Sequence, residues 1–189
     1  MKLPVPDTIQ IDNEVALQLI NPSHAEGLLA ITNENREHLR TFLPWVDHMR
    51  SVQDFIIYID RCHTQHLSGS DYGYTILLAE KPIGRIGIHY INTYNSSAAI
   101  GYWISQSYTG KGIITKACRA LLKVCFEDLD LNRVEIRCAT DNIKSAAVAE
   151  RLHFTREGVL KQAEYVNGNY LDLALYAMVK SEWEKQYKA

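Results

Sequence analysis

The 189-residue sequence predicts an α/β fold on a mixed, mostly antiparallel central sheet with flanking helices, and three stretches carry that prediction. Ala99 to Ile104 is a run of apolar, branched and aromatic residues that reads as a buried strand. From Ile113 onward Ala117, Leu121, Val124 and Cys125 recur at a helical period, and Val134, Ile136 and Cys138 then alternate with Arg133, Glu135 and Arg137 as a strand with one apolar face. Strand, helix and strand in succession require a parallel pair with a right-handed crossover. Ahead of them, Tyr72 to Ala79 and Ile83 to Tyr90 are strands joined only by Glu80-Lys81-Pro82, which makes them antiparallel. The length suits one well-buried domain over residues 1–189 and is short for two.

The other elements follow in order. Val15 to Ile20 is a short strand, and Asn21-Pro22 supplies an N-cap and a first-turn proline for a helix to about Asn33. Leu39 to His48 is apolar but broken by Pro44; it is either a loop packed on the core or one wall of an acceptor site. Ser51-Val52-Gln53-Asp54 is a capping box for a helix through about His66, with Gly69 as its stop. Asp128 to Asn132 closes the helix that begins at Ile113. Asp141-Asn142 caps a further helix through Leu152. Thr155 to Leu160 and Tyr170 to Val179 are the last strands, separated by Gln162 to Asn169 with the tight-turn dipeptide Asn167-Gly168.

Composition narrows the function classes. With 47% hydrophobic and 22% charged residues the chain is of ordinary globular type, and a net charge of −2 provides no basic field for nucleic acid or an anionic membrane. No long apolar run or signal-like N-terminus is present, so a cytoplasmic location is expected. Cys62, Cys118, Cys125 and Cys138 form no Cys-x-x-Cys pair and are expected as reduced, buried thiols. His63 and His66 are expected on a helix surface with no third ligand, and no metal site is expected.

Between the strand ending at Ile104 and the helix starting at Ile113 lies Ser107-Tyr108-Thr109-Gly110-Lys111-Gly112. Two glycines ahead of a helix leave its first N–H groups and the positive end of its dipole facing open space, which makes a phosphate cradle. A triphosphate-binding loop needs Gly at position 105 and Ser or Thr at 112, where this chain has Ser105 and Gly112. A dinucleotide fingerprint needs a third glycine where Thr115 stands. What remains is a diphosphate held by main-chain amides, as in coenzyme A, or else a plain tight turn.

Ile100-Gly101-Tyr102-Trp103-Ile104 followed by Gly110-Lys111-Gly112-Ile113-Ile114 resembles the coenzyme A motif of the GNAT superfamily of N-acetyltransferases, most closely the branch that acetylates ribosomal-protein N-termini. Asn142-Ile143-Lys144-Ser145 and Glu150-Arg151-Leu152-His153-Phe154 are similar to its second motif, and the likeness runs from about Ile11 to the C-terminus. The resemblance implies acetyl-CoA as donor, bound through Tyr102, Trp103, Ile104, Gly110, Lys111, Gly112, Ile113, Ile114, Thr115 and Asn142. It further implies that the two parallel strands splay apart around the pantetheine arm, and that a protein N-terminus or a small amine is the acceptor. A homodimer stays open.

Acetyl transfer from a thioester needs a neutral amine, a polarised carbonyl and a donor to the departing thiolate. The superfamily's common Tyr donor is replaced here by Ala149, whereas Ser145 matches the Ser that serves the ribosomal-protein branch. Asn142 is expected to hold the pantetheine amide, to cap the helix, or both. Where that branch commonly carries Glu as base the chain has Ala99, which leaves His89 and Glu164 as candidates. His titrates near neutrality without help, although a strand histidine with one local hydrogen bond reads the same. An α-amine with pKa near 8 makes a weaker demand on a base than a lysine with pKa near 10.4. Ala99 therefore favours an α-amino acceptor over a lysine, and it also keeps alive a silent acyl-coenzyme A-binding module. Ser107 and His153 are two further departures from the superfamily's pattern, where Gln or Arg and Gly are usual.

Overall fold

A computed structural model describes residues 4–187. Eight strands form one sheet in the order β1-β2-β3-β4-β5-β6-β8-β7: β1 Thr8–Gln10, β2 Val15–Leu19, β3 Tyr72–Leu78, β4 Lys81–Asn92, β5 Ser97–Ile104, β6 Arg133–Ala139, β7 Thr155–Val166 and β8 Asn169–Val179. The helices are α1 Ala25–Glu34, α2 Arg36–Leu39, α3 Val52–Ser68, α4 Ile113–Lys123, α5 Ile143–Arg151 and α6 Lys180–Tyr187. Neighbouring strands are antiparallel except β5 and β6, so the sheet is mixed as expected.

The parallel pair is short. Ser97, Ala98 and Ala99 register with Arg133, Val134 and Glu135, and beyond Ala99 no further pair forms among the described residues. From Ile100 onward β5 leaves β6, and the sheet opens as the resemblance implied.

Each face of the sheet has its own apolar layer. The larger collects Ile86, Ile88, Ile100, Val134 and Ile136 from the strands with Ala117, Cys118, Leu121 and Leu122 of α4. Full burial of one such Leu or Ile contributes about 1.5–3 kcal/mol. On the other face Ile20, Ala25 and Leu28 meet Phe55, Ile59 and Cys62 of α3. The caps read in the sequence are formed: Ser51 Oγ accepts from Asp54 N–H at 3.2 Å, the Asp54 carboxylate accepts from Ser51 N–H at 2.8 Å, and Gly69 ends α3 at φ 71°. That last conformation costs a residue with a Cβ on the order of 1 kcal/mol.

Several elements differ from expectation. Lys81 and Pro82 belong to β4, because Ala79 and Glu80, at φ 45° and 65°, make a two-residue turn of the kind that matches strand twist. β7 continues through most of the expected Gln162–Asn169 connection to Val166, with irregular register between Leu160 and Glu164. The Leu39–His48 segment holds the end of α2 and a 3-10 turn at Val46–His48, anchored by buried Leu39 and Val46. β1 and α6 are additional to the elements expected from the sequence. All four cysteines are buried and unpaired.

His66 is a correction, since it is buried rather than on the helix surface. Its Nε2 accepts the Gly73 N–H at 3.0 Å and its ring stacks on Tyr72. Burial holds it neutral, lowering its pKa from 6.5 to about 4. Between these values the unfolded chain binds a proton that the folded chain refuses, so stability is full above pH 6.5 and falls as pH drops toward 4. The expected loss by pH 4 is at most about 3 kcal/mol. Urea melts across that window check it: His66→Gln, which keeps an acceptor for Gly73 but cannot titrate, should flatten the decline.

Candidate active site

The opening between β5 and β6 is lined from both sides by residues that the sequence motifs single out. α4 starts at Ile113 behind Gly110 and Gly112, which take left-handed φ of 75° and 76°. Lys116 N–H makes the first rung of the helix, to the Gly112 carbonyl at 3.0 Å, so the amides of Ile113, Ile114 and Thr115 precede it. No side chain caps this end, and a Cβ built on either glycine meets nothing within 4 Å. The amides therefore front an open approach. Lys111 is exposed beside them, its Nζ 5.0 Å from the centre of the Tyr108 ring.

Asn35, which no motif in the chain singles out, fixes the front of this turn. Its buried Oδ1 accepts the Gln106 N–H at 2.8 Å and the Ser105 hydroxyl at 3.3 Å, while its Nδ2 donates to the Ile31 carbonyl at 2.7 Å. Ser107 joins the same group through Ser105 Oγ at 3.0 Å. A serine in place of the usual Gln or Arg is thus tied into the turn itself. A cavity of about 370 Å³ lies here, against Glu34, Asn35 and Ser105–Ser107.

At the far side of the opening, Asn142 caps α5, its Oδ1 accepting the Ser145 N–H at 3.1 Å. The cap engages the carbonyl half of the amide rather than its NH2 half. Ser145 Oγ lies 2.9 Å from the Tyr102 hydroxyl, which also donates to the Ser145 carbonyl at 3.2 Å. Tyr102 therefore bridges β5 and α5 across the gap. Burial raises its pKa well above the ordinary phenol value, so it stays a protonated donor. Cys138, at the β6 end of the same gap, is a thiol pushed up by burial, with the Ser145 hydroxyl opposing that shift.

Ile104 and Ile113 are buried in the larger core, and Ile114 and Thr115 are half-buried. Trp103 points to the other face, where its ring lies 5.5 Å from that of Trp45. The side chains of Ile104 and Ile113 are thus taken up by the core and that of Trp103 by the second face.

That second face also carries His89, one of the two candidate bases. It registers opposite Ala99 and shares its face, and its Nδ1 donates to Asp71 Oδ2 at 2.5 Å. Glu164, the other candidate, registers opposite Leu171 on β8, and its carboxyl is half-buried and raised in pKa by that burial. A cavity of about 290 Å³ lies between Phe42, the end of β6 at Ala139–Asp141, and the hairpin residues Gln162, Tyr170, Leu171 and Asp172. Asn167, at the hairpin tip, donates to the Arg40 carbonyl. The segment around Phe42 is therefore both packed and a wall of this cavity.

His153 ends α5 at φ 61°, with its N–H on Glu150 and the Phe154 N–H on Ala149. It occupies the left-handed position of a helix stop where glycine is the low-cost choice. Among the described residues no cluster of three His, Cys, Asp or Glu side chains is arranged to hold a metal ion.

Residues 14–155 match the family model described as the acetyltransferase (GNAT) domain. The chain belongs to the GNAT acetyltransferases. It is 37% identical over 180 residues to the putative ribosomal N-acetyltransferase YdaF of Bacillus subtilis (strain 168), covering 94% of this chain and 97% of that protein. It is 32% identical over 173 residues to the ribosomal-protein-serine acetyltransferase of Escherichia coli (strain K12), covering 92% and 97%. Among solved structures, RimL, a ribosomal L7/L12 α-N-protein acetyltransferase in complex with coenzyme A, superposes with a TM-score of 0.88 at 31% identity, covering 93% of this chain and 99% of that one. In this GNAT chain, then, the glycine turn and the Tyr102–Ser145 bridge both belong to elements that flank the open parallel pair.

Proposed function

We propose that the chain transfers the acetyl group of acetyl-CoA to the α-amino group of a protein N-terminus, with ribosomal proteins as the acceptor class. The observation that supports this reading is the opening between β5 and β6, flanked by the uncapped amides of α4 and by the Tyr102–Ser145 hydroxyl pair, in a chain whose full-length relatives are named for ribosomal-protein acetylation.

The amides from Gly110 to Thr115 receive the pyrophosphate, with Lys111 beside them. Tyr102–Ile104 on the opened β5 edge and the Asn142 amide receive the pantetheine, and edge amides polarise the thioester carbonyl. The acceptor nitrogen attacks that carbonyl, the C–N bond forms, and the C–S bond breaks. The amine's proton leaves to His89, and the thiolate takes a hydrogen bond from Ser145 Oγ, which lies 2.9 Å from the Tyr102 hydroxyl. The thiolate then takes a proton from water and His89 releases its own to solvent, so the products are the acetylated N-terminus and coenzyme A thiol. The setting is the cytoplasm, where ribosomal proteins reside. No described helix is long and apolar enough to cross a membrane.

A small polyamine is the competing acceptor, carried by the carboxylates of Asp141 and Asp172 on the 290 Å³ cavity. A screen of coenzyme A thiol release separates the readings. N-terminal peptides of ribosomal proteins should be turned over, and polyamines poorly or not at all. The reverse order overturns the α-amino assignment, and silence with every amine leaves only an acyl-coenzyme A-binding module.

A further inference from the structure

We infer that Asp71 is a positioning residue for His89, and that the two work as a carboxylate–imidazole pair drawing the proton from the acceptor amine. This rests on the acetyl-transfer reading above and assigns the base that Ala99 leaves vacant.

Three features of the fold converge on the pair. Asp71 sits one residue before β3, and the register of Tyr72 with Ile88 puts Asp71 and His89 on the same face. The bond from His89 Nδ1 to Asp71 Oδ2 is 2.5 Å, and Asp71 is only 8% exposed. Its other oxygen, Oδ1, is buried without a partner among the described residues. A buried carboxylate so served has little to gain structurally from that site, since an unmade hydrogen bond costs stability.

The second feature is the space made for the ring. A Cβ on Gly87 would stand 2.8 Å from His89 Cε1 and Nε2, and one on Gly101 would stand 3.1 Å from Cδ2 and 3.3 Å from Nε2. Gly87 and Gly101 are register partners on β4 and β5. Two facing glycines thus let the imidazole lie flat over the strands, with Nε2 beside the stretch of β5 that has left β6.

Third, β4 is bulged immediately after this residue. Tyr90 takes φ 54°, and the register with β5 shifts between His89 and Asn92. Bulges of this kind re-aim a side chain, and a non-glycine residue holds that left-handed conformation only where its surroundings impose it.

The pairing has a chemical consequence. With Nδ1–H held by the carboxylate, the neutral imidazole keeps its lone pair on Nε2, the nitrogen over Gly101. That nitrogen takes one proton from the amine as the C–N bond forms. The charge so created on the ring is compensated by Asp71. Other charged and titratable groups on this face are Arg85 on the same strand, Tyr58, Cys62 and His66 on α3, and Glu135 on β6. Glu135 is occupied by Arg133 at 2.9 Å and Arg137 at 2.7 Å.

The test uses Asp71→Asn and His89→Ala in the full chain with an N-terminal peptide acceptor. Asp71→Asn should lower kcat at pH 7 at least tenfold with KM for acetyl-CoA unchanged. The deficit should close as pH rises above about 8, where solution supplies free amine. Imidazole ¹⁵N spectra should show His89 protonated at Nδ1 in the unaltered protein and lose that signature in Asp71→Asn. A structural role alone would give a deficit of equal size at all pH values, and that result overturns the assignment. So does full turnover by His89→Ala with a pH-closing deficit in Glu164→Gln instead. If the unaltered protein acetylates no amine, the transfer reading falls first and this one with it, whereas turnover with an unaffected Asp71→Asn removes this one alone.

Discussion

Replacing Gly112 by Asp weakens coenzyme A binding by about 2 kcal/mol or more, roughly 30-fold, while the protein stays folded. Gly112 sits at φ 76° as the residue before α4, and no atom lies within 4 Å of a Cβ placed there. The substitution therefore creates no clash in the free protein, only a left-handed residue of a type that tolerates it, at on the order of 1 kcal/mol. What it adds is a carboxylate at the end of a helix whose first amides are open to a diphosphate. Repulsion and lost close approach act on the bound state alone. Gly112→Asn isolates the charge, because it imposes the same backbone cost without it. Calorimetry on both variants is decisive: affinity in folded Gly112→Asp equal to that of the original chain would remove the pyrophosphate from this turn.

Ser145→Ala lowers kcat on the order of 10²-fold at every pH and leaves coenzyme A affinity nearly unchanged. The hydroxyl is 2.9 Å from Tyr102 and matters only as charge develops on the departing sulfur. The lock between β5 and α5 survives its loss, because Tyr102 still donates to the Ser145 carbonyl at 3.2 Å. Tyr102→Phe removes both of those bonds but not the thiolate donor itself, so its effect on kcat is the smaller, about tenfold. Stopped-flow and steady-state rates with matched coenzyme A titrations measure both. A Ser145→Ala enzyme with full kcat would exclude the hydroxyl from leaving-group stabilisation.

How legible these features were in the sequence follows from the range over which each is determined. The α3 cap box, the Gly69 stop, the Asn142 cap and the glycine turn are set by residues within a few positions, and all four stand as read. The periodicity of α4 was equally plain, since one face of it is wholly buried. β1 is three residues long, too short to show alternation, and is specified by pairing with β2. The extension of β7 was hidden because it is the last strand of the sheet and mostly exposed, so its polar residues give no period. α6 is polar apart from buried Trp183 and half-buried Tyr187, too few apolar positions to show a period.

The site divides the same way. Motif residues such as Gly110, Gly112, Asn142 and Ser145 announce themselves by spacing. Asn35 and Asp71 do not, because they act across 71 and 18 residues of chain on Gln106 and His89. His66 was misplaced for a related reason: the Gly73 amide that it satisfies lies on a strand that a helical wheel cannot show.

Everything proposed for the groove requires the acetyl group to arrive on an N-terminal nitrogen. Ribosomal proteins with unmodified N-termini, incubated with acetyl-CoA and the enzyme, are analysed by tandem mass spectrometry. The expected result is one acetyl group on the α-amine of the first residue of at least one of them, absent when the enzyme carries Ser145→Ala for the same short reaction time. Acetyl groups found only on lysine side chains, or transfer to polyamines with every N-terminus left free, would contradict it.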